Sequence, residues 1–389
     1  MPASVRLGSD VLFSSNRLVG VRIGVVCNHA SIDRSFVHVI DRAASSEGVT
    51  LAAIFGPQHG FRSDVQDNMV ETPHRDDPRR RVPIYSLYSE TREPTADMLR
   101  GLDALLIDLQ DIGARIYTYI YTMANCLRAA ARHGVPVIVC DRPNPIGGNA
   151  VEGARLQPGW ESFVGQFPIP MRHGMTIGEL AVLFNDAFGI GASLEVVKME
   201  GWTRDMYADA TGLPWVMPSP NMPTLDTAIV YPGTVLFEGT MLSEGRGTTR
   251  PFELVGAPWI DAERFAAGLN GARLDGAYFR PAGFEPTFQK HARQQCGGCQ
   301  IHVTDRDAFA PVITGVALID MFRRSDPATF AWRQPPYEYE HDKMPIDILA
   351  GSDTLRKQIE SGMPIAEIAA SWRDDEAGFR RLREPYLMY

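Results

Sequence analysis

The sequence predicts an α/β fold: a Rossmann-like, doubly wound and mostly parallel sheet domain, then a smaller mixed α/β domain. Three observations carry this expectation. Short apolar runs alternate with helix-like stretches through the first half. The runs are apolar almost throughout instead of at every second position, as strands covered on both faces require. A chain of 389 residues is also too long for one ordinary core.

Residues 21–27, 51–55, 104–109 and 135–140 read as strands, and the amphipathic segments 36–44 and 119–132 as helices between them. Thr176 and Glu179 have the spacing of a capping box opening a helix over 177–188. The stretch 214–249, rich in proline, glycine and threonine, reads as irregular loops of the first domain or of the cleft. From about residue 251 the texture becomes mixed, with 300–303 strand-like and 309–322 helix-like. The expected domains are therefore 1–250 and 251–389.

Polar residues gather where each apolar run ends: Asn28-His29, Gln58-His59, Gln110-Asp111 with Arg115, and Asp141-Arg142 with Asn144. The carboxyl edge of a parallel sheet is where strand-to-helix loops converge and ligands bind. Segments 58–62, 111–117, 141–152 and 221–224 are accordingly expected to line one cleft.

A net charge of −9 and a pI near 5.5 argue against a nonspecific nucleic-acid binder, which needs a basic surface to displace counterions. An anionic substrate would have to meet arginines gathered locally. The run Arg79, Arg80, Arg81 follows Asp76 and Asp77 and reads as a solvated loop. No apolar run approaches the roughly 20 residues of a membrane span. Five cysteines, an odd and sparse set, suit a reducing compartment. Together with an amino terminus that lacks a secretory pattern, they make a cytoplasmic location the expectation.

Cofactor motifs are missing. The turn after the first strand, Cys27-Asn28-His29-Ala30, has no glycine fingerprint, and Gly245-Arg246-Gly247-Thr248-Thr249 lacks the lysine of a phosphate loop. Cys296-Gly-Gly-Cys299 stands without a second pair and reads as buried or turn-forming thiols. Neither a metal nor an organic cofactor is expected.

Several long segments recur in a known order: FGPQHGF (55–61), LIDLQDIGARIYTY (106–119), DRPNPIGG with VEG (141–148, 151–153), IPMRHGMTIGEL (169–180), PWVMPSPNMPTLDTA (214–228) and FEGTMLSEGRGTTRPFE (237–253). With GAPWID and the closing YLMY, they make nearly the whole chain resemble the exo-β-N-acetylmuramidases. The resemblance implies a Rossmann-like domain, a smaller carboxyl-terminal domain and a cleft between them. It also implies hydrolysis of the β-1,4 bond after a nonreducing-terminal N-acetylmuramic acid, without metal or cofactor. Two departures stand out. Where many members carry Glu in a Gly-Pro-Glu-His-Gly motif, this chain has Gln58, and SDVQDNMVET replaces a form with a Gly-Glu pair, leaving Glu71 as the nearest counterpart of that glutamate.

Glycoside hydrolysis needs a protonated acid at the leaving oxygen and a second group facing an oxocarbenium-like centre. Glu152, after the loop of Asp141 and Asn144, and Glu71, in a polar loop, are the expected catalytic pair. Gln58, His59, Arg62, Asp111, Arg115, Tyr117, Asp141, Asn144, His173, Asn221, Thr224, Glu244 and Arg246 are the expected substrate-binding residues. Asp111 and Asp141 lie near arginines in sequence and suit orientation better than acid catalysis. The lactyl carboxylate of N-acetylmuramic acid calls for an arginine, from Arg62, Arg115, Arg172 or Arg246. The expected partner is a muramic-acid-containing saccharide or muropeptide. Gln58 also favours an alternative, a noncatalytic muropeptide-binding protein with the same cleft; a nucleotide-dependent oxidoreductase is disfavoured by the absent glycine fingerprint.

Overall fold

The computed structural model describes residues 4–67 and 69–389. Its strands are β1 (Arg22–Cys27), β2 (Thr50–Gly56), β3 (Arg75–Asp77), β4 (Val82–Ser86), β5 (Ala104–Asp108), β6 (Val137–Cys140), β7 (Glu152–Arg155), β8 (Pro170–Arg172), β9 (Leu194–Val197), β10 (Leu254–Ala257), β11 (Ala277–Phe284) and β12 (Cys296–Val303). Seven form the main sheet in the order β3-β4-β2-β1-β5-β6-β9. All neighbours run parallel except β3 against β4.

Why the sheet is covered on both faces shows in its side chains. Ile23 and Val25 of β1, with Ala104 and Leu106 of β5, belong to one core with helix Val39–Ser45. Val26, Leu105 and Ile107 belong to the other, with helices Tyr119–His133 and Ile177–Asp186. Alternate residues of each strand thus bury into opposite layers, so no position is left for a polar side chain. Strand order reverses between β1 and β5, the usual ligand crevice of such sheets. There Asn28 donates its amide to the Gln110 carbonyl at 3.2 Å, which stitches the two loops together.

The capping box forms as the spacing predicts. Thr176 accepts from the Glu179 amide, while the Glu179 carboxylate accepts from the Thr176 amide at 3.0 Å. The stretch 214–249 differs from its expected irregularity, since it contains helix Leu225–Thr234 and a 3-10 turn, Val235–Gly239. Pro232, Gly233 and two threonines lower its helical signal, but Thr224 caps it and its last eight residues are buried. Gly233 has a reason to be glycine: a Cβ there would lie 1.9 Å from the Pro311 carbonyl, so its absence lets this helix cross Pro311–Ser325 backbone to backbone.

Strands β10, β12 and β11 form a second, antiparallel sheet, and β7 pairs with β8. Helix Ala262–Gly271 packs on the second sheet, and Phe265 meets Phe322 at a 3.9 Å centroid distance. Cys296 and Cys299 are buried free thiols on β12. The final helix, Arg373–Arg383, returns to the first half and packs on β7. No helix among the described residues is long and apolar enough to cross a membrane.

Candidate active site

A pocket with polar groups converging on it lies over the carboxyl edge of the main sheet. Gln58 and His59 enter it from the loop after β2, and Tyr117 and Thr118 from the start of helix Tyr119–His133. Asn221 and Met222 form another wall. The second half of the chain adds Tyr231, Glu238, Arg246, Tyr337 and Glu338.

Its two glutamates have opposite environments. Glu238 accepts from Arg246 and from the Tyr337 hydroxyl, each at 2.7 Å. Although burial opposes it, the Arg246 charge and these bonds hold its carboxyl below the usual range. Glu338 is 4% exposed. Burial, and then the Glu238 charge, push it up to about 7. The Tyr88 hydroxyl donates to it at 3.2 Å. Gln58 does the same from its amide nitrogen, because its amide oxygen already accepts from Thr118 at 2.9 Å. The backbone at Glu338 and Tyr339 is left-handed, with φ of 45° and 69°. Such non-glycine residues cost on the order of 1–3 kcal/mol each and cluster at functional sites.

Around this pair the charges balance locally. Arg246 lies 5.0 Å over the Phe252 ring and 3.5 Å from Glu244, which in turn pairs with Lys290 at 2.6 Å. Gly245 makes that turn possible, since its φ is 76° and a Cβ would sit 2.5 Å from the Leu254 carbonyl. His59 is pushed down to about 4 by burial. Its Nδ1 faces the Val65 carbonyl at 2.7 Å and so carries the proton, leaving Nε2 an acceptor.

Of the residues singled out in the sequence, Gln58, His59, Tyr117, Asn221 and Arg246 meet in this pocket, with Glu244 behind Arg246. The others lie apart. Glu152 lines a different cavity, paired with Arg172 at 2.6 Å. Glu71 is exposed and paired with Arg92 at 3.1 Å, so the structure does not bring Glu152 and Glu71 together. Arg115 is wholly buried and donates to the carbonyls of Ala154, Ile169 and Leu349. Arg62 is exposed, over the Phe61 ring.

Asp111 accepts from the Gly113 amide and sits 3.5 Å from His173, beneath the pocket floor and not in its lining. Asp141, pushed up to about 6 by burial, accepts from Gly178, Thr176 and Tyr389. Asn144 donates to the Met175 carbonyl, and Thr224 caps a helix and donates to Glu253. The expected cleft is thus corrected in one respect: residues 58–59, 116–117 and 221–222 converge, while 141–152 turns away. Fixed by Asp141 to Gly178 and by Arg142 to Asp108, that loop points its later residues at the cavity of Glu152.

Glu238 and Glu338 were not among the residues that sequence reasoning selected. Glu238 lies within the motif 237–253, from which Glu244 was taken instead; Glu338 falls in a Tyr-Glu-Tyr-Glu run that has no periodic signal.

Two carboxyl groups in one pocket, one pushed up by burial and the other held low by an arginine, have the division of roles that glycoside hydrolysis uses. Comparison with known proteins makes this specific. The family description "Exo-beta-N-acetylmuramidase NamZ, N-terminal" matches residues 23–226 and its C-terminal counterpart matches 229–389, so the chain belongs to the exo-β-N-acetylmuramidase NamZ family. It is 46% identical over 387 residues to the peptidoglycan β-N-acetylmuramidase NamZ of Bacillus subtilis strain 168, covering 99% of this chain and 91% of that protein. Two crystal structures of DUF1343 family proteins from Bacteroides fragilis NCTC 9343 are similar. One has a TM-score of 0.89 at 34% identity, covering 99% of both chains; the other has 0.77 at 28%, covering 100% of this chain and 99% of that one.

Proposed function

We propose that this chain is an exo-acting glycosidase that releases nonreducing-terminal N-acetylmuramic acid from peptidoglycan-derived fragments by cleaving its β-1,4 bond to N-acetylglucosamine. The observation that carries the reading is the opposed pair in one buried pocket: Glu238 bound by Arg246 and Tyr337, which hold its carboxyl low, and Glu338 buried beside it and pushed up to about 7. The activity named for the Bacillus subtilis relative supports it.

In this reading Glu338, and neither Glu152 nor Glu71, is the acid. It gives its proton to the glycosidic oxygen as the bond to the anomeric carbon breaks. Glu238 stays negative and faces the positive charge that develops on the sugar ring. Water then adds at the anomeric carbon and gives its proton to the Glu338 carboxylate, which restores the acid. Gln58, which has no proton to give, holds Glu338 in place, so in this reading the glutamine does not remove the acid. Replacing Glu338 with Gln should lower turnover of a muramyl disaccharide by about 10²–10⁴-fold. The loss should be much smaller on β-N-acetylmuramyl fluoride, whose leaving group needs no proton. Equal losses on the two substrates, or no loss, would remove Glu338 from the acid's role.

Arg246 is the lactyl-carboxylate clamp in this proposal. Of the four candidate arginines it alone lines the pocket, where it pairs with Glu238 at 2.7 Å. Arg246→Met should cost muramyl substrates about 10–150-fold more in kcat/KM than the matching glucosaminyl ones. An unchanged ratio would move the clamp elsewhere. We also place the chain in a reducing compartment such as the cytoplasm, a reading supported by its five free, buried thiols.

A further inference from the structure

The pocket does not end at Glu338. An open cavity adjoins it, and Glu338 is the single residue, among those described, that lines both. A general acid in a glycosidase must stand between the sugar it releases and the group that leaves, because its proton goes to the oxygen they share.

We propose that this outer cavity binds the leaving-group saccharide, the N-acetylglucosamine side of the cleaved bond. The proposal rests on the glycosidase reading above. Charge assigns the direction. Glu71, Glu90 and Glu340 line the outer cavity with one cation, Arg92, whose charge is already paired with Glu71 at 3.1 Å. An acidic groove repels a muramyl carboxylate and accepts a neutral sugar, whereas in the inner pocket the Arg246 charge offsets that of Glu238.

The groove also carries the surface a neutral sugar needs. Tyr339 is 48% exposed, although it follows the buried Glu338. It is held from one side by Arg92, which lies 4.6 Å from its ring and 4.4 Å from Tyr88. Phe163 extends this platform, 6.5 Å from Tyr339 and 5.3 Å from Tyr88. Aromatic rings of this kind take the apolar C–H face of a pyranose, while polar groups at the rim fix its hydroxyls. One rim group is available: Gln166 accepts from Arg128 through Oε1, which leaves its amide hydrogens to donate.

The test compares kcat/KM for N-acetylmuramyl-β-1,4-N-acetylglucosamine with that for β-N-acetylmuramyl fluoride, which places no sugar in the outer cavity. Tyr339→Ala and Gln166→Ala should each lower the disaccharide-to-fluoride ratio by about tenfold, the size of a single good contact. Gln166 is included because Tyr339 adjoins Glu338 and its loss could disturb the acid. A ratio unchanged in both variants, or lowered in Tyr339→Ala alone, would overturn the proposal. If the parent releases sugar from neither substrate, the glycosidase reading itself fails, which is a separate result.

Discussion

Glu338 illustrates what burial does to one carboxyl group. Its folded value is about 7, against 4.5 in an open chain. Below pH 4.5 both states hold the proton, and the associated stability is fully present. Between 4.5 and 7 the unfolded chain has released a proton that the folded chain keeps, so stability falls as pH rises, by roughly 3 kcal/mol in all. Glu338→Gln removes this slope. Relative to the parent, the variant should gain stability between pH 4.5 and 8, measured by urea unfolding at both ends. Asp141, also raised, is common to the two proteins and cancels. If the difference between variant and parent is the same at pH 4.5 and pH 8, Glu338 does not titrate as described. The sequence could not point to this residue, because the shift comes from burial and then from the charge of Glu238, 100 positions away, while the groups that temper it, Tyr88 and Gln58, are 250 and 280 positions away. Gln58, His59 and Arg246 were legible because they sit in glycine-bounded turns at sheet edges, where polar residues have no structural reason to be concentrated.

At the scale of elements, what could be read was whatever depends on neighbours in sequence. The strands β1, β5 and β6 declare themselves by continuous apolar runs, because both faces of the sheet are covered. Thr176 and Glu179 cap their helix over three residues. Helix Leu225–Thr234 was hidden for the converse reason: its low propensity is overridden by burial against Pro311–Ser325, a partner about 80 residues downstream. The same logic explains Glu152. Its proximity to Asp141 and Asn144 in sequence suggested a shared site, but β7 pairs with β8 and brings Glu152 to Arg172 instead. Loop convergence can be argued from topology, whereas the direction of each loop cannot.

The whole molecule is closed by its last seventeen residues. Arg383 is 6% exposed and donates to the carbonyls of Gly148, Asn149, His173 and Gly174, all in the first half of the chain. Met388 donates its amide to Glu179, and the Tyr389 hydroxyl reaches Asp141 at 2.8 Å. The segment thus ties the end of the chain to the loop after β6 and to the cap of helix Ile177–Asp186. Such a latch matters because the pocket takes its walls from both family-matched segments, Gln58 and Asn221 from one and Glu238 and Glu338 from the other. Arg383→Met keeps most of the side-chain volume but removes every donor. It leaves buried carbonyls unpaired, at a cost of about 3 kcal/mol, since one bond to a charged donor is worth about 1.5–3 kcal/mol and neighbouring bonds from one side chain do not add. The urea midpoint of Arg383→Met should fall accordingly, with the slope of the transition unchanged. Because Arg383 lines no part of the Glu338 pocket, the kcat/KM ratio of disaccharide to glycosyl fluoride should stay at the parent value while stability drops. A variant that unfolds at the parent's urea concentration would show that these carbonyls are satisfied without Arg383, and the latch would then carry no stability.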